Sequence, residues 1–203
     1  MSTISKTVIL IITLLCSLTT YAQESLLNNL DNKNGFNNLK LKSTFNEVKK
    51  LVSLKKVNET KVKNGKMEYY SIKNANETYT FGSYKVKSIS LGFFNSNELQ
   101  INVLAFIEVN LADSRFLRDS DQLNEMLKKE YGLPTNSSSS DDSFELRQNQ
   151  IAYTLDWQGE KVFLRMTRWS APVNERFEFL GNTYRYYDIG ILNFTNERAN
   201  NGF

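Results

Sequence analysis

The chain has no histidine and a single cysteine, Cys16, among its 203 residues. Cys16 lies in an amino-terminal targeting segment. The chain expected after export therefore has neither thiol nor disulfide, although an oxidising compartment would permit one. These absences exclude a thiol nucleophile, a histidine general base, a cysteine or histidine zinc site and a haem ligated by either residue. Enzymatic chemistry would have to run on carboxylates, lysine, tyrosine, serine or threonine. No glycine-rich phosphate loop is present. The longest apolar run, Val8–Leu18, is broken by Thr13, Cys16 and Ser17 and is shorter than the about 20 residues of a spanning helix. No transmembrane segment, metal site or cofactor is expected.

What is there at the start reads as a secretory signal. Lys6 precedes the apolar run, and Thr20 and Ala22 place small residues around an expected cleavage after Ala22. Leu15 stands before Cys16, where a lipoprotein signal places a small residue, so no lipid anchor is expected. The remainder has the length of one domain, or of one domain made of two similar halves. Residues 23–38 form a polar, asparagine-rich lead-in carrying a Leu26-Leu27-x-x-Leu30 patch. Residues 39–112 and 113–194 form two halves, each a helix followed by strands. Residues 195–203 are a polar tail.

Thr44-Phe45-Asn46-Glu47 has capping-box spacing. Phe45, Val48, Leu51 and Val52 then follow at helical intervals, and this first helix is expected to end near Lys55. Strands are expected at Lys66–Ile72, Glu77–Phe81, Tyr84–Phe94 and Leu99–Val109. In the last of these, alternation places Leu99, Ile101, Val103, Ala105, Ile107 and Val109 on one face. The clearest helix runs over Asp119–Pro134. Asp119 or Ser120 is its expected cap, and Leu123, Met126, Leu127 and Tyr131 form its stripe. Gly132 takes the left-handed terminal position, with Pro134 beyond. Asn136–Ser143 reads as a serine-rich acidic loop, and a short strand is expected at Phe144–Leu146. Ile151–Trp157 and Lys161–Arg168 read as a hairpin across Gln158-Gly159-Glu160. Trp169–Glu175 is expected as a connection. Phe177–Phe179 and Tyr184–Phe194 are expected as strands around a Gly181-Asn182 turn.

The formal net charge is +3, but ten lysines fall between Lys33 and Lys66 against Glu47 and Glu59. Lys49, Lys50 and Lys56 are the candidate anionic-ligand face, with a solvated helix surface as the plainer reading. Export disfavours nucleic acid as a partner, as does the lack of arginine and aromatics beside these lysines. The aromatics Tyr69, Tyr70, Tyr79, Tyr84, Tyr153, Trp157, Trp169, Tyr184, Tyr186 and Tyr187 suit a half-buried sheet. Trp169, Tyr186 and Tyr187 border irregular segments and are the expected exposed anchors for a sugar or protein partner. Glu98, Glu108, Asp156 and Glu160 are the acids from which a glycoside-cleaving pair would be drawn, if two faced one cleft at about 5–9 Å. Ser53-Leu54-Lys55-Lys56 has the serine–x–x–lysine spacing without its companion motifs. Asp141-Asp142 lacks the rest of a calcium loop. Asn58-Glu59-Thr60 and Asn193-Phe194-Thr195 are sequons that so asparagine-rich a chain produces by chance.

Two stretches, Leu39-Lys40-Leu41 through Val52 and Leu123 through Tyr131-Gly132-Leu133-Pro134, each open a helix-then-meander unit. In this the chain resembles the beta-lactamase-inhibitor-protein and BamE (SmpA)-like group of small exported bacterial proteins. The element order itself predicts an α+β fold, one or two antiparallel sheets covered on one side by the Thr44 and Asp119 helices, and the resemblance implies the same order of helix and strands. That group spans inhibitors and assembly factors, so it implies no functional residues here. The expectation from the sequence is a non-enzymatic envelope or secreted binding protein, gripping another envelope protein or a polysaccharide through a sheet face or edge. The alternatives are a carboxylate-dependent hydrolase or glycan-processing enzyme, and an accessory of outer-membrane assembly.

Overall fold

A helix over 26–33 (α1) leads into a small hairpin of Gly35–Phe36 (β1) and Leu39–Lys40 (β2) in the computed structural model, which describes residues 26–111, 117–140, 151–173 and 176–195. The signal segment, Asp141-Asp142, the strand expected at Phe144–Leu146 and the tail beyond Thr195 lie outside the described residues. The first half continues with α2 (Phe45–Leu51), β3 (Leu54–Val62), β4 (Gly65–Ile72), one helical turn α3 (Ala75–Thr78), β5 (Thr80–Phe81), β6 (Tyr84–Ser96) and β7 (Ile101–Leu111). The second has α4 (Leu117–Tyr131), β8 (Asn136–Ser140), β9 (Ile151–Gln158), β10 (Val162–Val173), β11 (Arg176–Asp188) and α5 (Ile189–Thr195). The fold is α+β. Eight strands pair antiparallel in the order β3-β4-β6-β7-β11-β10-β9-β8, and β5 adds to β6. The last long strands of the two halves, β7 and β11, pair with each other from Asn110–Thr183 to Phe106–Tyr187. From that seam outward, both sides run through a meander back to the strand that follows a helix.

One sheet face is dry. Ile89, Leu91, Leu104, Ile107, Val109, Trp157, Leu164, Met166, Tyr184 and Tyr186 line it, all at 2% exposure or less. Leu30 of α1, Val48 of α2, and Leu123, Leu127 and Tyr131 of α4 pack into the same cluster. Full burial of such side chains contributes roughly 1.5–3 kcal/mol each. The helices are stopped as their sequences require. The Thr44 Oγ1 accepts from the Glu47 N–H at 3.3 Å, and the Glu47 carboxylate accepts from the Thr44 N–H at 2.7 Å, a complete capping box. Gly132 ends α4 at φ +80°, its N–H donating to the Lys128 carbonyl, and Trp157 Nε1 donates to the Gly132 carbonyl at 2.9 Å.

Several expectations are corrected. The lead-in is structural: Leu30 and Phe36 are buried, and Asp31 binds the far hairpin. Helix α2 stops at Leu51, and the lysine block continues as strand β3. That strand lies at the sheet edge, so it needs no apolar alternation, and exposed lysines guard such an edge against further pairing. Residues 75–78 make a helical turn where a strand is expected from Glu77. A bulge between Gly92 and Phe93 offsets β6 against β7, so Leu104 faces the main core and Ala105 the opposite side. Helix α4 already runs from Leu117, which puts Asp119 and Ser120 within its first turn. The serine run pairs with β9 as strand β8. Trp169–Val173 continues β10, and Gly181-Asn182 sits inside β11, opposite Trp169 and Arg168. The strand expected to reach Phe194 ends at Asp188, whose Oδ1 accepts from the Ile191 N–H at 2.9 Å and opens α5.

Candidate functional site: the open sheet face

The strand registers lay the side chains of the other sheet face out in rows. One row is aromatic: Phe163 on β10, Tyr187 on β11, Phe106 on β7, then Gly92 on β6 and Tyr69 on β4. The next is charged: Asp156 on β9, Arg165, Arg185 and Glu108, ending in Ser90 and Ser71. A third is polar: Thr154, Thr167, Thr183, Asn110 and Ser88. Gly92 makes the aromatic row possible. A Cβ there would lie 2.9 Å from Met67 Cε and 3.1 Å from Phe106 Cβ, so the missing side chain lets the Tyr69 and Phe106 rings meet edge to face at 6.4 Å.

A cleft of about 460 Å³ opens over the aromatic and charged rows. This is the scale of small-ligand sites, about 300–1,000 Å³. Its floor is Met67, Tyr69, Phe106 and Tyr187; β3 supplies one wall through Val57, Asn58 and Thr60, and α5 the other through Ile191, Leu192 and Thr195. Helix α5 is held at both ends. Asp188 caps it and pairs with Lys42 at 3.4 Å, while Asn64 Nδ2 donates to the Phe194 carbonyl at 3.2 Å. The wall is thus tied to the first half at each end.

Glu108 is the only carboxylate and Arg185 the only guanidinium among the described lining residues, and no lysine joins them. Arg185 Nε donates to Glu108 Oε2 at 2.8 Å, with the two side chains 30% and 21% exposed. Asn110 Nδ2 donates to the other carboxylate oxygen at 3.2 Å. Burial works against the Arg185 charge, but Tyr187 and Glu108 beside it prevail and raise its pKa. Arg185 meets Glu108 through Nε, and both side chains line the cleft. Arg165 differs: it grips Asp156 with Nε and Nη2, both at 2.8 Å.

The structure separates the candidate residues named from sequence. Tyr187 is on the cleft floor. Trp169 is half-buried farther along the same face, where its Nε1 donates to Thr183 Oγ1 at 3.2 Å and Thr183 donates on to Asn110. Tyr186 is not an exposed anchor. Adjacent strand residues point to opposite faces, so with Tyr187 on the open side Tyr186 enters the core. It is 2% exposed and hydrogen-bonds Tyr131; burial raises both hydroxyls, that of Tyr131 to about 12. Lys49 and Lys50 are exposed on α2, on the helical side, and Lys56 joins Glu59 and Glu68 on the helical side of β3–β4. No single surface gathers these lysines with Trp169 and Tyr187. Among the acids, Glu98 and Glu160 lie in exposed turns. Glu108 and Asp156 share the open face, but three strand spacings, about 14 Å, separate their backbones, and an arginine holds each one. Phe106, Arg185 and α5 were not singled out by sequence. Alternation alone puts Phe106 and Glu108 on one face, but only the β7–β11 pairing brings Arg185 to them.

Among the described residues no group of acids, cysteine or histidine is arranged to hold a metal ion, and no helix is long and apolar enough to cross a membrane. Comparison with protein-family models, with curated proteins and with solved structures finds no match to this chain.

Proposed function

We propose that this is an exported, non-enzymatic binding module of the bacterial envelope or secreted space, and that its working surface is the cleft on the open sheet face. One observation carries the reading: an aromatic floor and an accessible arginine–carboxylate pair lie together in a recess of ligand size. Apolar floors with a few convergent polar groups are the usual make-up of recognition sites. The signal-like leader Lys6–Ala22 supports export. Binding is preferred to carboxylate hydrolysis because Glu108 and Asp156 stand on strands too far apart for a pair acting on one bond.

The reading is tested with a photo-crosslinking residue placed at Thr60, on the exposed cleft rim, and in a second protein at Lys49, on the opposite side. Expression in the native envelope should give an adduct from position 60 and none from position 49. Equal adducts from both, or an adduct from 49 alone, would overturn the assignment of the surface.

A further inference from the structure

We infer that the cleft takes a neutral saccharide ring, an inference that rests on the proposed binding role of this face. Charge narrows the ligand class first. The ionised side chains lining the cleft are one acid and one base, bound to each other, so the site as a whole is neutral. An anionic ligand reaching Arg185 would meet Glu108 beside it, and a cationic ligand reaching Glu108 would meet Arg185. A neutral ligand whose groups both donate and accept meets no such conflict. A sugar hydroxyl does both. Of two neighbouring hydroxyls, one can accept from an N–H of the Arg185 guanidinium while the other donates to the Glu108 carboxylate. Hydrogen bonds to charged groups are the stronger kind.

The rest of the lining fits the remainder of a pyranose. Its C–H-bearing face is apolar and packs on the negative face of an aromatic ring. Tyr69, Phe106 and Tyr187 provide such rings within the row that borders the ion pair. Asn58, Thr60 and Ser90 add amide and hydroxyl groups around the rim, able to meet outward hydroxyls. A purely apolar ligand would take water from the Arg185–Glu108 pair and offer no hydrogen bond in its place, which is costly.

Calorimetric titration decides it. The probes are neutral oligosaccharides of glucose, mannose and N-acetylglucosamine, with oligogalacturonate as the acidic counterpart. Binding of a neutral oligomer is expected, weakened about tenfold or more by Glu108→Gln, the order expected for losing a hydrogen bond to a charged group. Tyr69→Leu, which keeps bulk but removes the ring, should weaken it as well. If Glu108→Gln fails to fold, Asn58→Trp, on the exposed rim, should block the cleft instead. Binding of oligogalacturonate alone, tightened by Glu108→Gln, would overturn the neutral class and leave the cleft as the site. Binding of none of the probes, with an adduct still formed from Thr60, would overturn the saccharide and leave the binding surface. Failure of the Thr60 adduct as well would overturn both.

Discussion

Arg165 and Arg185 stand directly opposite each other across β10 and β11, each held by a carboxylate from the strand on its outer side. Like charges in register repel, so the arrangement depends on Asp156 and Glu108. The Asp156–Arg165 pair is the more enclosed, with side chains 6% and 13% exposed. Asp156→Asn should therefore destabilise the protein by about 3 kcal/mol, the cost of leaving a buried charge without its partner. Urea unfolding measures this. A loss under about 1 kcal/mol would mean that solvent, not Asp156, neutralises Arg165.

Glu68 gives the fold an acid-sensitive contact. Lys56 and Lys66 donate to its Oε1 at 2.8 and 2.9 Å, and its carboxyl is held down to about 2, against 4.5 for the free group, chiefly by the Lys56 hydrogen bond. A folded pKa below the unfolded one means the folded state binds fewer protons over that range. Its stabilisation is then fully present above pH 4.5 and is lost as pH falls toward 2. Stability followed from pH 5 to 2 should fall less steeply in Glu68→Gln than in the parent. Identical slopes would show that this carboxyl is not what the acid limb reports.

Asp31 ties α1 to the β9–β10 turn. Its carboxylate accepts from the backbone N–H groups of Glu160, Lys161 and Val162 at 2.8, 2.9 and 2.9 Å. Asp31→Ala should cost about 2 kcal/mol, in line with charge-assisted hydrogen bonds at a partly buried site. It should also speed amide exchange at residues 160–162. Unchanged exchange there would mean that the β9–β10 turn holds its own shape.

Gly92 keeps the aromatic row open. Gly92→Ala would set a methyl against Phe106 Cβ, which is fixed to the neighbouring strand and cannot swing away. Overpacking of this kind costs about 1–3 kcal/mol. The variant should melt lower and alter the ring resonances of Tyr69 and Phe106. Parental values of both would show that the row relaxes freely.

Local chemistry in this chain was legible and long-range pairing was not. Thr44 with Glu47, and Gly132 with Pro134, announce helix ends because caps depend on residues a few positions apart. The α+β class follows from periodicity in the same way. Strand β3 was hidden because an edge strand with most of its residues exposed has no burial to impose alternation. The Ser137–Ser140 run carries no apolar signal, and only its register with β9 makes it a strand. Tyr186 and Tyr187 were correctly read as strand residues, but which of them faces the core depends on a register that the dipeptide does not carry. The cleft was least legible of all. Its ion pair joins residues 108 and 185, and its wall α5 needs Asp188 as a cap within what reads as continuous strand.

The central claim is that the cleft between β3 and α5, floored by Tyr69, Phe106 and Tyr187, is the working surface. Amide and side-chain chemical-shift mapping during titration with a bacterial envelope extract tests this most directly. Shifts should concentrate at Tyr69, Ser90, Phe106, Arg185, Tyr187 and Ile191, and should be lost in Asn58→Trp. Shifts concentrated instead on Lys49 and Lys50 of α2, or along β8, with the cleft silent, would contradict it.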